Sequence, residues 1–508
     1  MLFNSFQFIF GFLPTVCIAY FVIARFWGDR AGMLTLVVGS LFFYGWWNER
    51  YLWVLLLSIA CNAGFAIALI RGEQKQRLWV LLVGLGFNLA LLGYFKYESF
   101  FAQNLGMLLG VDWHIAQEPL PLGISFFTFQ KIAFLVDAYL GGVVAFDLLH
   151  YSLFVTFFPQ LIAGPIVRHN EIIPQFATLP RTPRASDFAI GVSIFAIGLF
   201  KKVCLADPSA QWVHPVFSAA ASGQAVGFVD AWVAALAYSF QLYFDFSGYT
   251  DMATGLARLF GIVLPINFYS PYQSVNIIDF WRRWHISLSR FLRDFIYIPL
   301  GGNRRGVVRR YVNLSIAMLL GGLWHGAAWT FVVWGAVHGL MLALNHAWHH
   351  LRRRIGPPPE SDPAIVRVTA CAVTFTAVTS AWVLFRASSL DSAATILSAM
   401  YGIGGQDVLR PVATYWGSQW NLLNALQWAE SSAIWLLLVG SVAFILPNTY
   451  QLFRDFRPAL VERPFEDAAF KLRLRWQPNR RWAVGLSLML LIAILRIREL
   501  SPFIYFQF

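Results

Sequence analysis

The sequence predicts an all-α, polytopic membrane protein, on three observations. Of its 508 residues 58% are hydrophobic and only 13% charged, whereas soluble domains carry about a quarter charged residues. The apolar residues gather into about a dozen segments near spanning length, at 7–25, 31–47, 51–70, 78–97, 120–139, 148–166, 186–203, 228–244, 253–268, 311–323, 327–348, 365–385, 431–447 and 482–496. Lys and Arg sit mainly between these segments, so the net charge of +12 reads as the mark of cytoplasmic loops and not of nucleic-acid binding. No internal repeat or soluble domain interrupts the pattern, and residues 1–508 are read as a single transmembrane domain.

Taken in order, the first segment has no Lys or Arg before it, and Arg25 and Arg30 follow it. That predicts an outside N-terminus and argues against a signal peptide, which needs a basic leader. The next basic cluster, Arg71 to Arg77, lies two segments on, as alternation requires. Segments broken by Gly or Pro, above all Phe158-Pro159-Gln160-Leu-Ile-Ala-Gly164-Pro165, predict re-entrant turns or cavity walls. Asp245 and Asp251 lie in an otherwise apolar stretch, Gln241 to Asp251. A carboxylate at such depth faces the protein interior with a partner. These two could orient a catalytic histidine, bind a cation or pair with arginines of 282–310, and the arginine pairing is the expectation.

The interval 280–310 holds eight arginines: Arg282, Arg283, Arg290, Arg293, Arg304, Arg305, Arg309 and Arg310. Trp281, Trp284, Leu288, Phe291 and Phe295 form one stripe at helical spacing, with the arginines largely outside it, which predicts a basic amphipathic helix at the membrane surface. His285 falls inside that stripe, pointing away from bulk water; spacing alone leaves packing and chemistry equally open.

Residues 311–348 contain no Lys, Arg, Asp or Glu. As one helix this stretch would run to about 57 Å, nearly twice the hydrocarbon core of about 30 Å. It must therefore break, and Gly321-Gly322-Leu323-Trp324-His325-Gly326 is the predicted site. An imidazole about 14 residues into the membrane is a functional candidate by default, against the plainer reading of a neutral ring bonded to a neighbouring helix. His338, His346, His349 and His350 lie near a predicted membrane exit; His346 and His350 are one turn apart and would make half a metal site. With no HExxH and no nearby Cys or carboxylate, a solvated helix end is the stronger reading. The interval Arg352-Arg353-Arg354-Ile355-Gly356-Pro357-Pro358-Pro359 predicts a basic linker, and 448–481 short interfacial helices.

Cys17, Cys61, Cys204 and Cys371 lie in or beside apolar segments without CxxC spacing, so they read as packing residues. No Walker A, GxGxxG or GxSxG sequence occurs, which leaves a nucleotide-driven pump or a serine hydrolase unsupported.

Several stretches together resemble the membrane-bound O-acyltransferase (MBOAT) family, in its bacterial alginate O-acetyltransferase branch. They are Leu92-Gly-Tyr-Phe-Lys-Tyr97, Pro121-Leu-Gly-Ile-Ser-Phe126, Phe158 to Pro165, Gln241-Leu-Tyr-Phe-Asp-Phe-Ser-Gly-Tyr249, Phe280-Trp-Arg-Arg-Trp-His-Ile-Ser-Leu-Ser289, Leu300-Gly-Gly-Asn-Arg304, Gly321 to Gly326 and Phe503-Ile-Tyr-Phe-Gln-Phe508. The resemblance spans nearly the whole chain, though 401–430 matches nothing recognisable. It implies a ring of about 11 or more transmembrane helices around a thinned core, with a tunnel joining both faces. It makes His325 the catalytic histidine and His285 the second active-site residue. Arg282, Arg283 and Arg304, with Trp324, become candidates for holding the donor; positive-inside topology explains arginines there equally well.

The activity implied is acyl transfer, most simply acetyl transfer, from a cytoplasmic thioester such as acetyl-CoA. The acyl group would pass toward an extracytoplasmic partner of the SGNH hydrolase-like type that modifies an exported polysaccharide. Acetyl-CoA is a substrate here; no bound cofactor or metal is expected, and the setting is a bacterial inner membrane. A histidine's ordinary pKa near 6.5 suits His325 to the base role, which contributes about 10²–10⁴-fold. Two rivals remain: D-alanyl transfer from a carrier protein to teichoic acid, and a transporter or channel using Asp245, Asp251 and His325 as a relay. A scaffold role for a polysaccharide synthase predicts that His325 is dispensable.

Overall fold

A computed structural model describes all residues except 112, 114–118, 356–362, 404–421, 462–464, 466–473, 498–500 and 505–508. The end of the basic linker, most of the unmatched interval 401–430, much of 448–481 and the last residues of the Phe503–Phe508 motif therefore lie outside the described residues.

Regular structure among the described residues is helical, apart from one bridge between Pro265 and Leu460. The principal helices are α1 Gln7–Trp27, α2 Asp29–Gly45, α3 Glu49–Arg71, α4 Gln74–Leu109, α5 Ile124–Tyr139, α6 Leu148–Thr156, α7 Ala185–Ala221, α8 Phe228–Leu259, α9 Ile277–Arg283, α10 Ile286–Leu292, α11 Val307–His325, α12 Trp329–Ile355, α13 Ala364–Arg386, α14 Leu390–Met400, α15 Leu422–Phe444 and α16 Arg480–Arg496. Among the described residues six are long and apolar enough to cross a bilayer: α1, α3, α4, α7, α12 and α13. Bulky apolar residues remain exposed along them, Ile18, Trp53, Val83 and Leu340 among them, as lipid-facing surface requires.

At the centre stands α8. Two predicted segments, 228–244 and 253–268, turn out to be one helix of 32 residues, about 48 Å long. The expected interruption at Asp245–Asp251 does not occur because both carboxylates are neutralised from α7. Lys202 Nζ lies 2.7 Å from Asp245 and 2.7 Å from Asp207, and Lys201 Nζ 2.6 Å from Asp251. These lysines sit on a π-helical turn, Lys201–Ala206, which shifts their side chains round onto α8. Close approach of α7 and α8 rests on glycine: a Cβ on Gly198 would lie 2.6 Å from the Gly248 carbonyl oxygen, and one on Gly255 2.5 Å from that of Gly191.

The basic segment is not one amphipathic helix. It folds as α9, a break at Trp284-His285, α10, a π-turn over Arg293–Tyr297 and turns. The predicted stripe does bury Trp281, Trp284, Leu288 and Phe291, but against protein and not lipid. Trp284 packs on Tyr243 of α8 and Trp382 of α13, Trp281 on Trp334 of α12, and Phe291 stacks on Phe129 of α5 at 4.1 Å. Arg283 and Arg290 follow it inward, paired with Asp279 and Glu171 at 2.8 and 2.5 Å.

The long apolar stretch breaks as expected, a few residues later than Gly321-Gly322. Helix α11 continues to His325, and α12 starts at Trp329. Gly322 stays helical because its role is close approach: a Cβ there would lie 2.2 Å from the Phe331 carbonyl oxygen. One on Gly335 would meet the Met318 oxygen at 2.4 Å. The two helices form a hairpin whose tip carries the histidine.

Candidate active site

His325 is the last residue of α11 and is buried, 3% exposed. A box of aromatic rings surrounds it, with centroids at 4.8 Å for Trp324, 5.2 Å for Trp334 and 5.0 Å for Phe385. The end of a helix leaves carbonyls without intrahelical donors, and here α4 supplies them. Tyr97 donates its hydroxyl hydrogen to the Leu323 oxygen at 2.8 Å. Lys96 Nζ donates to the Trp324 oxygen at 2.5 Å and the His325 oxygen at 3.2 Å. Both come from a π-helical turn, Gly93–Tyr97, inside α4. The Leu92–Tyr97 motif thus caps the helix that carries the histidine.

His285 is fully buried and holds a left-handed backbone, φ 43°. Such a conformation in a non-glycine residue costs about 1–3 kcal/mol and concentrates at functional sites. It turns the chain between α9 and α10 so that the imidazole enters the core. Asn267 orients the ring: its Oδ1 accepts from the Ser287 backbone N–H at 3.2 Å and the Ser287 hydroxyl at 2.9 Å, and lies 3.1 Å from His285 Nδ1. Because the Ser287 N–H can only donate, that atom is an acceptor, so Nδ1 carries the proton in the neutral ring and Nε2 the lone pair. Trp324 brings the two histidines together, its indole centroid 5.8 Å from His285 and 4.8 Å from His325.

Two cavities approach this centre from opposite sides. A small one, about 30 Å3, is lined by Lys96, Ser125, Phe126, Trp324, His325 and the loop from Leu120. It has room for about one water. A large one, about 900 Å3, is lined by Arg282, Arg283, Arg290, Arg293 and Arg310, with Trp281, Met318 and Leu342 deeper in. The two share no lining residue among those described. An aromatic layer separates them: Trp281 lies 5.9 Å from Trp334, which packs on His325.

Of the predicted donor-binding residues, Arg282 and Arg283 line the large cavity, whereas Arg304 is exposed and does not. Arg283 is tied to Asp279; Arg282 has no carboxylate partner among the described residues. Trp324 lines the small cavity, between the histidines, and not the cationic one. Asp245 and Asp251 contact neither histidine, and their partners are lysines, not the arginines expected. Besides Lys202, Asp245 accepts the Ile504 backbone N–H at 3.0 Å, and Asp251 accepts the Thr449 hydroxyl hydrogen. His338 is not near a solvated helix end but wholly buried, because α12 runs on to Ile355. Its Nδ1 accepts from Trp281 Nε1 at 3.3 Å. His346 is taken up by Arg310, at 2.6 Å. Among the described residues no three His, Cys, Asp or Glu side chains are arranged to hold a metal ion.

Sequence reasoning missed Lys96 and Asn267. A lysine inside an apolar segment was the available signal for the first; the second needs the tertiary contact.

Fold and site define a polytopic membrane protein that holds two buried histidines between a cationic cavity and a smaller one on the opposite side. The chain belongs to the membrane-bound O-acyltransferase family, whose model matches residues 41–383, and is thus an acyltransferase. It is 40% identical over 489 residues to the peptidoglycan O-acetyltransferase of Helicobacter pylori, covering 90% of this chain and 91% of that protein. It is 38% identical over 523 residues to a Pseudomonas putida protein named "Probable alginate O-acetylase AlgI", covering 100% of both. The teichoic acid D-alanyltransferase of Streptococcus thermophilus is 28% identical over 284 residues, 52% of this chain and 68% of that protein.

Proposed function

We propose that this protein is a bacterial inner-membrane O-acetyltransferase that moves acetyl groups from acetyl-CoA, on the cytoplasmic side, toward an exported polysaccharide. The observation that carries the reading is the placement of His325 and His285 on one indole, between the arginine-lined cavity and the opposite small one. Arg290 pairs with Glu171 and Asp294 with Arg168, beside His169 on Asp137, and Arg77 bonds the Ala138 and Tyr139 carbonyls next to that aspartate. A rim so basic is cytoplasmic by the positive-inside rule. Planar guanidinium groups suit the diphosphate and phosphate of a CoA donor, with Arg282 and Arg310 the best placed. The full-length likeness to two polysaccharide O-acetylating proteins favours acetyl over D-alanyl transfer, which rests on about half the chain.

In the reaction, the acceptor oxygen attacks the thioester carbonyl while a histidine nitrogen takes the hydroxyl proton. The tetrahedral intermediate collapses, the C–S bond breaks, and the same proton passes to the departing sulfur. Products are the acetyl ester and free CoA thiol. His325 is the base, and His285 the group that orients the thioester or shares its negative charge. Holding donor and acceptor in line supplies a further ~7–11 kcal/mol. Delivery requires the Trp281–Trp334 layer to part, which would complete the tunnel within a ring of helices. The acceptor is a hydroxyl presented from outside, on a secreted SGNH-like partner or on the glycan.

Purified protein in lipid nanodiscs should consume labelled acetyl-CoA when an extracytoplasmic acceptor is supplied, and ignore D-alanyl carrier protein. Preference for the D-alanyl carrier would select the rival transferase. Movement of ions with no consumption of either donor would select a channel.

A further inference from the structure

A lysine beside the candidate base is used by nothing in the mechanism above. Lys96 is 8% exposed, at a membrane depth where a charged side chain is costly, and no carboxylate lies within salt-bridge distance of it among the described residues. Its Nζ reaches two elements: the carbonyls of Trp324 and His325 at the end of α11, and Ser125 Oγ at the start of α5, at 3.3 Å. The ammonium also sits 5.9 Å over the Trp324 ring. It stands at the negative end of α11, where a donor or cation is favoured, and it lines the same small cavity as His325. Tyr97 beside it makes one neutral bond to the next carbonyl back.

We infer that Lys96 is a positioning residue: its Nζ clamps the helix end that carries Trp324 and His325, and so fixes the imidazole relative to the acceptor side of the site. This rests on the reading of His325 as the base. Ordinary capping would need only a neutral donor, as Tyr97 shows, or glycine followed by a turn. Recruiting a buried lysine from a neighbouring helix makes sense where the position of the helix end matters more than its stability. A displacement of about 1 Å at a reacting group is enough to cost ~10²-fold in rate.

The test compares Lys96→Met, Lys96→Gln and Lys96→Arg with Tyr97→Phe and His325→Ala in purified full-length protein, reading kcat and KM for acetyl-CoA and the melting temperature. Lys96→Gln keeps a donor for the carbonyls and guards against a Lys96→Met that fails to fold. Expected is a fall in kcat of about 100-fold for both neutral variants, with KM for acetyl-CoA within about threefold of wild type. Lys96→Arg should recover at least tenfold of that loss, and Tyr97→Phe should lose less than about fivefold. Wild-type kcat in Lys96→Gln overturns the inference. So does an equal loss in Lys96→Gln and Tyr97→Phe, which reduces Lys96 to a cap, or a loss that appears only in KM. Full transfer by His325→Ala instead removes the functional reading itself, whatever Lys96 does.

Discussion

Replacing Gly322 by alanine tests whether the α11–α12 hairpin sets the position of His325. The added Cβ would lie 2.2 Å from the Phe331 carbonyl oxygen and 3.2 Å from the Gly335 Cα and nitrogen. Carbon–oxygen contacts ordinarily begin near about 3.3 Å, so the helices must separate locally by about 1 Å. The obstructing atoms are backbone, and no side-chain rotation relieves them. Overpacking of this kind costs about 1–3 kcal/mol, leaving a folded but destabilised protein. Gly322 lies one turn before His325 on the same helical face, so the shift reaches the imidazole and should lower kcat by ~10²-fold. The assay is acetyl transfer from labelled acetyl-CoA, normalised to folded protein by size exclusion, beside thermal unfolding. Gly86→Ala is the control, since nothing lies within 4 Å of a Cβ there, and it should keep wild-type activity. Unchanged kcat and melting temperature in Gly322→Ala would refute the idea that glycine contact fixes the histidine.

Two further substitutions separate structure from chemistry. Asp251→Asn strips Lys201 of its only carboxylate partner among the described residues, whereas after Asp245→Asn Lys202 keeps Asp207; the first should cost about 3–5 kcal/mol and the second less, with kcat of the folded fraction preserved in both. A fall in kcat without loss of stability would return these carboxylates to the reaction. Arg282→Ala should raise KM for acetyl-CoA about tenfold, the equivalent of one charge-assisted bond of roughly 1.5 kcal/mol. Arg304→Ala, outside the cavity, should leave KM alone, and the reverse ranking would move the donor site.

How much of this was legible in the sequence depends on whether a residue acts locally. Segment positions followed from apolar runs, since hydrophobic length is a local property. The inward path of His285 followed from helical spacing with Trp281 and Leu288. What failed were inferences needing a distant partner. Asp245, Gly248 and Asp251 looked like an interruption because the lysines that neutralise them, and the Gly198 backbone that needs Gly248 small, lie about 50 positions earlier. The break fell at the last residues of the predicted Gly321–Gly326 stretch and not at its first two glycines, because sequence does not distinguish glycine used for flexibility from glycine used for contact. The stripe of 280–310 gave the right buried face but not the break at Trp284-His285 or the placing of that face against protein, since an amphipathic face is the same whether lipid or protein covers it. Lys96 was passed over inside its own motif, its purpose being a helix end 228 residues away.

One experiment bears most directly on the centre of the account: acetyl content of the exported polysaccharide, and turnover of labelled acetyl-CoA in isolated membranes, with wild-type protein and with His325→Ala at equal abundance. If the sheltered imidazole is the base, both should fall by more than about 10²-fold. Undiminished acetylation and turnover in that variant would contradict it.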